Sequence, residues 1–310
     1  MSIPATTPHS GPIVSRDTQI YSPDTCAAEL CALHERFPDR TQLAVIGTSV
    51  LGQSIYALQM GNASAPVRVL VQAGMHGREW INTQVVMAQI EDYLTQEAYA
   101  SLLEQASFLF VPLCNPDGVR IAQEGAGWIE DDDARALVEE LIQRSGHPYS
   151  QWKANGRGVD LNRNFDAEWS QIKGVKEPAF AHYPGPEPES EPETQALVAL
   201  TREYDPTITL SYHSRGEYIY WYFFQEDAAL QRDADLAARL MEHTGYAGLK
   251  LGNLRVDSFG GYKDWCVQAL GISAFTIENG KSGWEVPVRI EHFDHIYQKC
   301  KDLTALAARG

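Results

Sequence analysis

The chain has 310 residues, 44% of them hydrophobic and 21% charged, enough to bury a large core in one α/β domain or two smaller ones. Its formal net charge of -16 disfavours nucleic acid or an anionic membrane as the main partner. No stretch approaches the roughly 20 apolar residues of a membrane helix.

Residues 1–18 are expected to form an N-terminal tail. Met1–Gly11 holds no Lys, Arg or apolar core segment, so it does not read as a secretory signal. The five cysteines, at 26, 31, 114, 266 and 300, lack C-x-x-C spacing and read as reduced, mostly buried thiols of a cytoplasmic protein. Ser22-Pro23-Asp24 starts a helix predicted to reach about Arg36. Strands follow around Leu43–Ile46 and Ser54–Gln59, and the branched run Val67–Ala73 reads as a buried strand closed by Gly74. Apolar residues at 81, 85, 86, 90 and 94 fit one face of a helix over Glu79–Leu94. Phe108–Leu113 is another buried strand, ended by the turn Asn115-Pro116-Asp117-Gly118.

Residues 119–158 look least regular, apart from a helix over Ala134–Gln143 whose acidic start, Glu130–Asp133, suits the helix dipole. Tyr183–Pro192, rich in Pro and Glu, reads as a surface loop. Ser190-Glu191-Pro192-Glu193 fits a capping box for a helix to about Tyr204. Strands are predicted at Thr207–Tyr212, Tyr218–Phe224 and Ile272–Ile277. Helices are predicted at Asp227–His243, from about Tyr262, and over Arg289–Ala308. This alternation argues for an α/β sheet with helices on both faces.

Three polar residues follow buried strands: His76, His213 and Glu278. Open α/β sheets bind ligands at that edge. His76 and Glu79 are three apart, a spacing that brings side chains together on one helical turn. Two His, one ligating Glu and a second free Glu make up the inventory of a zinc hydrolase, with three protein ligands, an open position for water and a general base. The remaining His, at 9, 34, 147, 182, 243, 292 and 295, read as non-ligands. Asn162 and Arg163 have the donors to hold a substrate carboxylate, although Arg163 could instead bridge a structural Asp. Asp160 could orient a metal-bound His or cap a turn.

The motifs that carry a resemblance are His76-Gly77-Arg78-Glu79, Asn115-Pro116-Asp117-Gly118, Gly158–Phe165, Tyr212-His213-Ser214, Gly260-Gly261-x-x-Asp264-Trp265 and Phe275-Thr276-x-Glu278. In this order the chain resembles the zinc metallocarboxypeptidases of the pancreatic carboxypeptidase A type. Trp152-Lys153-Ala154-Asn155, the stretch His213–Trp221 and Gly261–Trp265 are similar to bacterial γ-D-glutamyl-L-diamino acid endopeptidases, and Ser190–Thr194 to murein peptide amidase. The resemblance implies a catalytic domain over residues 19–310 with a mixed, mostly parallel sheet of about eight strands. It implies one Zn²⁺ per chain on His76, Glu79 and His213, with Glu278 as general base and Asn162 and Arg163 on a substrate carboxylate.

Two departures from the pancreatic pattern stand out. Val256 occupies the position of a substrate-capping Tyr, for which Tyr262 is a candidate replacement. The oxyanion-stabilising Arg lies in a segment that differs here, leaving Lys153, Arg157 and Arg144 as candidates. Lys263 falls where the resemblance places the selector of the side chain after the cut; it would attract a carboxylate, as in diaminopimelate or glutamate, or be an exposed helix-start residue. The expected function is hydrolysis of γ-D-glutamyl–meso-diaminopimelate bonds in cytoplasmic murein peptides. The expected partner is a small carboxylate-bearing peptide, with no nucleic acid and no membrane. The alternatives are a carboxypeptidase releasing C-terminal residues, acidic ones included, and a non-catalytic peptide-binding module.

Overall fold

A computed structural model describes residues 11–309. The first part of the expected tail, His9 with it, and Gly310 lie outside the described residues. The helices are α1 Pro23–Arg36, α2 Ile81–Thr95, α3 Ala100–Gln105, α4 Pro116–Glu124, α5 Asp132–Ser145, α6 Pro192–Tyr204, α7 Asp227–Thr244, α8 Tyr262–Leu270, α9 Phe293–Cys300 and α10 Leu303–Ala308. The strands are β1 Thr41–Thr48, β2 Ser54–Gly61, β3 Val67–Gln72, β4 Ala106–Val111, β5 Ile208–Ser214, β6 Tyr218–Tyr220, β7 Ala247–Gly248 and β8 Ser273–Asn279.

These strands form one eight-stranded sheet in the order β1-β2-β4-β3-β5-β8-β6-β7. The central strands β4, β3, β5 and β8 run parallel, and β1, β2 and β6 pair antiparallel at the flanks. Alternate side chains of the central strands enter two different cores. Val69, Val71, Leu210 and Phe275 pack with α1, α2, α7, α9 and α10 on one face. Leu70, Leu109 and Ala274 pack with α6 and α8 on the other. Burial on both faces explains why these strands read as continuous apolar runs.

Several expectations need correction. Asn115-Pro116-Asp117-Gly118 is a helix start rather than a strand-closing turn: Asn115 Oδ1 accepts the Gly118 N–H at 2.8 Å and caps α4. Residues 119–158 are accordingly more helical than expected. α2 is buried on every side and not amphipathic, because the chain at 13–16 lies across it: Ile13 and Val14 N–H donate to Glu91, and Arg16 pairs with Glu91 and Asp92. The capping box does not form. Glu191 stands at the α6 cap without a side-chain cap bond, while Glu193 turns to the Val50 N–H and to Asn155. Asn164 Nδ2 donates to Pro184 O at 2.8 Å, which helps pull part of the supposed surface loop into the interior. β6 ends at Tyr220, and the last predicted helix is two, α9 and α10. His213 and Glu278 lie inside the last residues of β5 and β8 rather than beyond them.

Candidate metal centre and substrate pocket

The centre starts from glycine geometry after β3. Gly74 has φ 64, where a Cβ would strike Leu113 and Thr83. At Gly77 a Cβ would lie 2.2 Å from the Gly118 carbonyl oxygen, so only glycine lets the two backbones approach. Between them His76 precedes a single 3₁₀ turn, Gly77–Glu79, which folds Glu79 back onto it. His76 Nδ1 and Glu79 Oε1 stand 2.9 Å apart. His213 enters from β5 with Nδ1 at 3.1 Å from Glu79 Oε2 and 3.1 Å from His76 Nδ1. The three residues are buried, with one ligand atom from each lying within 4.8 Å of the others.

The donor chemistry fits a cation. His76 Nε2 faces Asp160 Oδ1 at 3.1 Å, and a carboxylate only accepts, so that nitrogen carries the proton. In the neutral ring, Nδ1 then directs a lone pair at an oxygen of Glu79, a repulsion that a metal ion between them removes. Two imidazoles and one carboxylate match a catalytic zinc set with an open position. Burial alone would raise the Glu79 carboxyl, but His76 and His213 hold it well below the usual range. Asp160 behaves alike: burial opposes its charge, and Lys153, with Nζ 3.0 Å from Oδ2, and His76 hold it well below the usual range.

Glu278 stands directly opposite His213 in the β5–β8 register. Burial pushes its carboxyl up to about 7, with His213 opposing and the Glu79 charge adding to the push. A cavity of about 280 Å³ brings Glu278 and His76 together with Lys153, Asn162, Arg163 and Lys263. Asn162 is fixed by the Tyr262 N–H, which donates to its Oδ1 at 3.0 Å. Arg163 is half-buried and donates to the Asn162 carbonyl at 2.6 Å. It has no carboxylate within ion-pair distance among the described residues, so it is not a structural bridge.

Other expectations change. Tyr262 cannot cap a substrate: it is fully buried, its hydroxyl lies 2.9 Å from Thr201 Oγ1, and its ring packs on Phe165 and Trp265. Of the three candidate oxyanion cations, only Lys153 lines the cavity. Arg157 is largely exposed beside Glu191, and Arg144 sits on α5 beside Glu140, Glu177 and the Pro178 carbonyl. Lys263 is neither exposed nor a free cation, since its ammonium pairs with Asp264 and donates to the Tyr222 carbonyl at 3.0 Å. Sequence reasoning assigned no role to Asp264, or to Arg255 and Asp257 in the same wall. Asp264 already stood within a matching motif, next to Lys263, and that adjacency was the available signal.

The sequence profile described as zinc carboxypeptidase matches residues 27–299. The chain belongs to the zinc carboxypeptidase family. It is a zinc metallopeptidase, similar to the γ-D-glutamyl-L-diamino acid endopeptidase 1 of Lysinibacillus sphaericus, with 34% identity over 82% of this chain and 64% of that protein. An uncharacterised Bacillus subtilis protein, YqgT, is 31% identical over 90% of this chain and 74% of its own length. Carboxypeptidase A from Helicoverpa armigera shares the fold, with a TM-score of 0.76 at 20% identity, over 96% of this peptidase and 75% of that chain. Among the described residues no helix is long and apolar enough to cross a membrane.

Proposed function

We propose that this peptidase hydrolyses γ-D-glutamyl–meso-diaminopimelate bonds in peptidoglycan stem peptides, with one Zn²⁺ per chain on His76, Glu79 and His213. The observation that carries the reading is that His76 of this ligand cluster meets Glu278, Arg163 and a lysine-bearing wall on one cavity. The resemblance to the Lysinibacillus endopeptidase supports the choice of bond. Five cysteines outside any disulfide suit a reducing compartment, and we place the activity on murein peptides in the cytoplasm.

When bound, zinc supplies Lewis acidity toward a carbonyl oxygen and toward water. Asp160 holds the His76 proton at Nε2 and leaves Nδ1 as ligand. Glu278, raised to about 7, is matched to accepting a proton from water near neutral pH and returning it to the leaving amine. Lys153 brings positive charge to the wall beside His76 for an oxygen that becomes negative. Arg163, with no carboxylate in ion-pair reach among the described residues, takes the α-carboxylate of the released residue, steadied by Asn162.

That role of Arg163 also suits a carboxypeptidase acting on α-linked C-termini, which is the second reading. Digestion of L-Ala-γ-D-Glu-meso-diaminopimelate beside a peptide ending in α-linked Glu separates the two. Release of free diaminopimelate is the expected result. Release of Glu alone overturns the murein assignment and leaves the carboxypeptidase.

A further inference from the structure

Lys263 and Asp264 open α8, and both line the cavity although each side chain is more than nine-tenths buried. An ammonium has three donors. Lys263 uses one on Asp264 Oδ1 and one on the Tyr222 carbonyl, and it lies over the Phe223 ring at 5.3 Å. One donor is left. Asp264 Oδ2 has no hydrogen-bond donor among the described residues. It faces Gly261, where a Cβ would come within 2.8 Å of it, so the glycine keeps that oxygen uncovered. The wall therefore offers one unused cationic donor and one unused anionic acceptor side by side. A second pair, Arg255–Asp257 at 2.8 Å, repeats the alternation in the same cavity.

We propose that Lys263 and Asp264 act together as a reader of a zwitterionic side-chain end, one bearing an ammonium and a carboxylate on the same carbon. This rests on the reading of the cavity as the site of the residue after the cut, and it sharpens what that residue is. A side chain ending in carboxylate alone can satisfy Lys263 but stands against Asp264. One ending in ammonium alone has the opposite mismatch. In a buried wall an unpaired or opposed charge is strongly disfavoured, whereas the zwitterion meets both groups. Diaminopimelate has such an end. Lysine has the ammonium without the carboxylate, and 2-aminopimelate the carboxylate without the ammonium.

The test measures kcat/KM of the zinc-loaded enzyme on γ-D-glutamyl-X, with X as meso-diaminopimelate, L-lysine or L-2-aminopimelate. The same three residues are also placed at the C-terminus of an α-linked peptide. The expected result is a preference for diaminopimelate of at least roughly tenfold over each half-analogue. Lys263→Met should erase or invert the preference over lysine, and Asp264→Asn the preference over 2-aminopimelate. A structural defect would lower all three substrates in proportion, which overturns the proposal. So does equal cleavage of either half-analogue by the wild-type enzyme. If only the α-linked series is cleaved, the murein reading fails, and the ranking within that series still decides the reader.

Discussion

The loop carrying Lys153, Asn155 and Asp160 runs between two sets of buried carboxylates with opposite chemistry. On one side, Glu79 and Asp160 are met by His76, His213 and Lys153, and both are held well below the usual carboxylate range. On the other, Glu191 and Glu193 share Asn155, the Asp117 charge acts on Glu193, and all three find mostly neutral donors. Asp117 accepts from Ser49, Gln53 and the Leu51 N–H, and Asn155 Nδ2 bridges Glu191 at 2.7 Å and Glu193 at 3.2 Å. Arg157, largely exposed and 3.8 Å from Glu191, is the one cation within ion-pair reach of this set among the described residues. Burial, unopposed by a close cation, pushes Glu193 up to about 7 with help from the Asp117 charge, and raises Asp117 as well. Burial acts in the same direction on both sides. The difference lies in whether a cationic partner stands close enough to overcome it.

Glu278 crosses this division, standing among the cationic groups with a carboxyl near 7, and it gives the largest predicted effect. Glu278→Gln should lower kcat by roughly 10²–10⁴-fold while metal analysis still finds one zinc per chain. Undiminished hydrolysis would remove Glu278 from the chemistry. Asp160→Asn tests whether the charge of the first set matters. Metal affinity should fall roughly 10–100-fold in a competitive chelator titration. An unchanged affinity would mean that Asp160 only braces the loop.

Asn155→Ala strips the second set of its shared donor. Melting experiments should show a loss of roughly 1–3 kcal/mol, since two buried acceptors lose a partner. The smallest effect is one of pH. Glu193 is raised from the ordinary 4.5 to about 7, so between those values the folded chain holds a proton that the unfolded chain has released. Its contribution to stability is full below the lower value and is lost as pH rises through the upper one. The melting temperature should therefore fall less between pH 6 and 8, on the order of a few degrees, in Glu193→Gln than in the parent. Parallel curves would show that Glu193 does not titrate in this range.

Features of the centre that depend on local chain geometry were legible from residue order. His76 and Glu79 are three apart across one turn, and that spacing alone predicts their meeting. His213 and Glu278 were readable through the apolar runs before them, because a buried parallel strand has an unmistakable composition and its end is where such sheets bind. Their placement within the strands, one residue opposite the other, needed the β5–β8 register. The capping box failed because Ser190 and Glu193 have better partners in Asn164, Glu191, Val50 and Asn155. Tyr262 was misread because its burial depends on Phe165 and Thr201, both distant in sequence, as well as on Trp265 one turn along the same helix.

By itself the sequence determined an α/β chain with a zinc-hydrolase inventory at strand ends, since periodicity and short spacings are properties of neighbouring residues. The tertiary structure decided the charge state and use of each polar group. Lys263 reads in the sequence as a selector for a carboxylate or an exposed helix-start residue, and only the fold buries it as half of a pair, its ammonium between Asp264 and the Tyr222 carbonyl. The physical reason is that electrostatic partners are selected by distance and burial in space, which residue order does not encode locally.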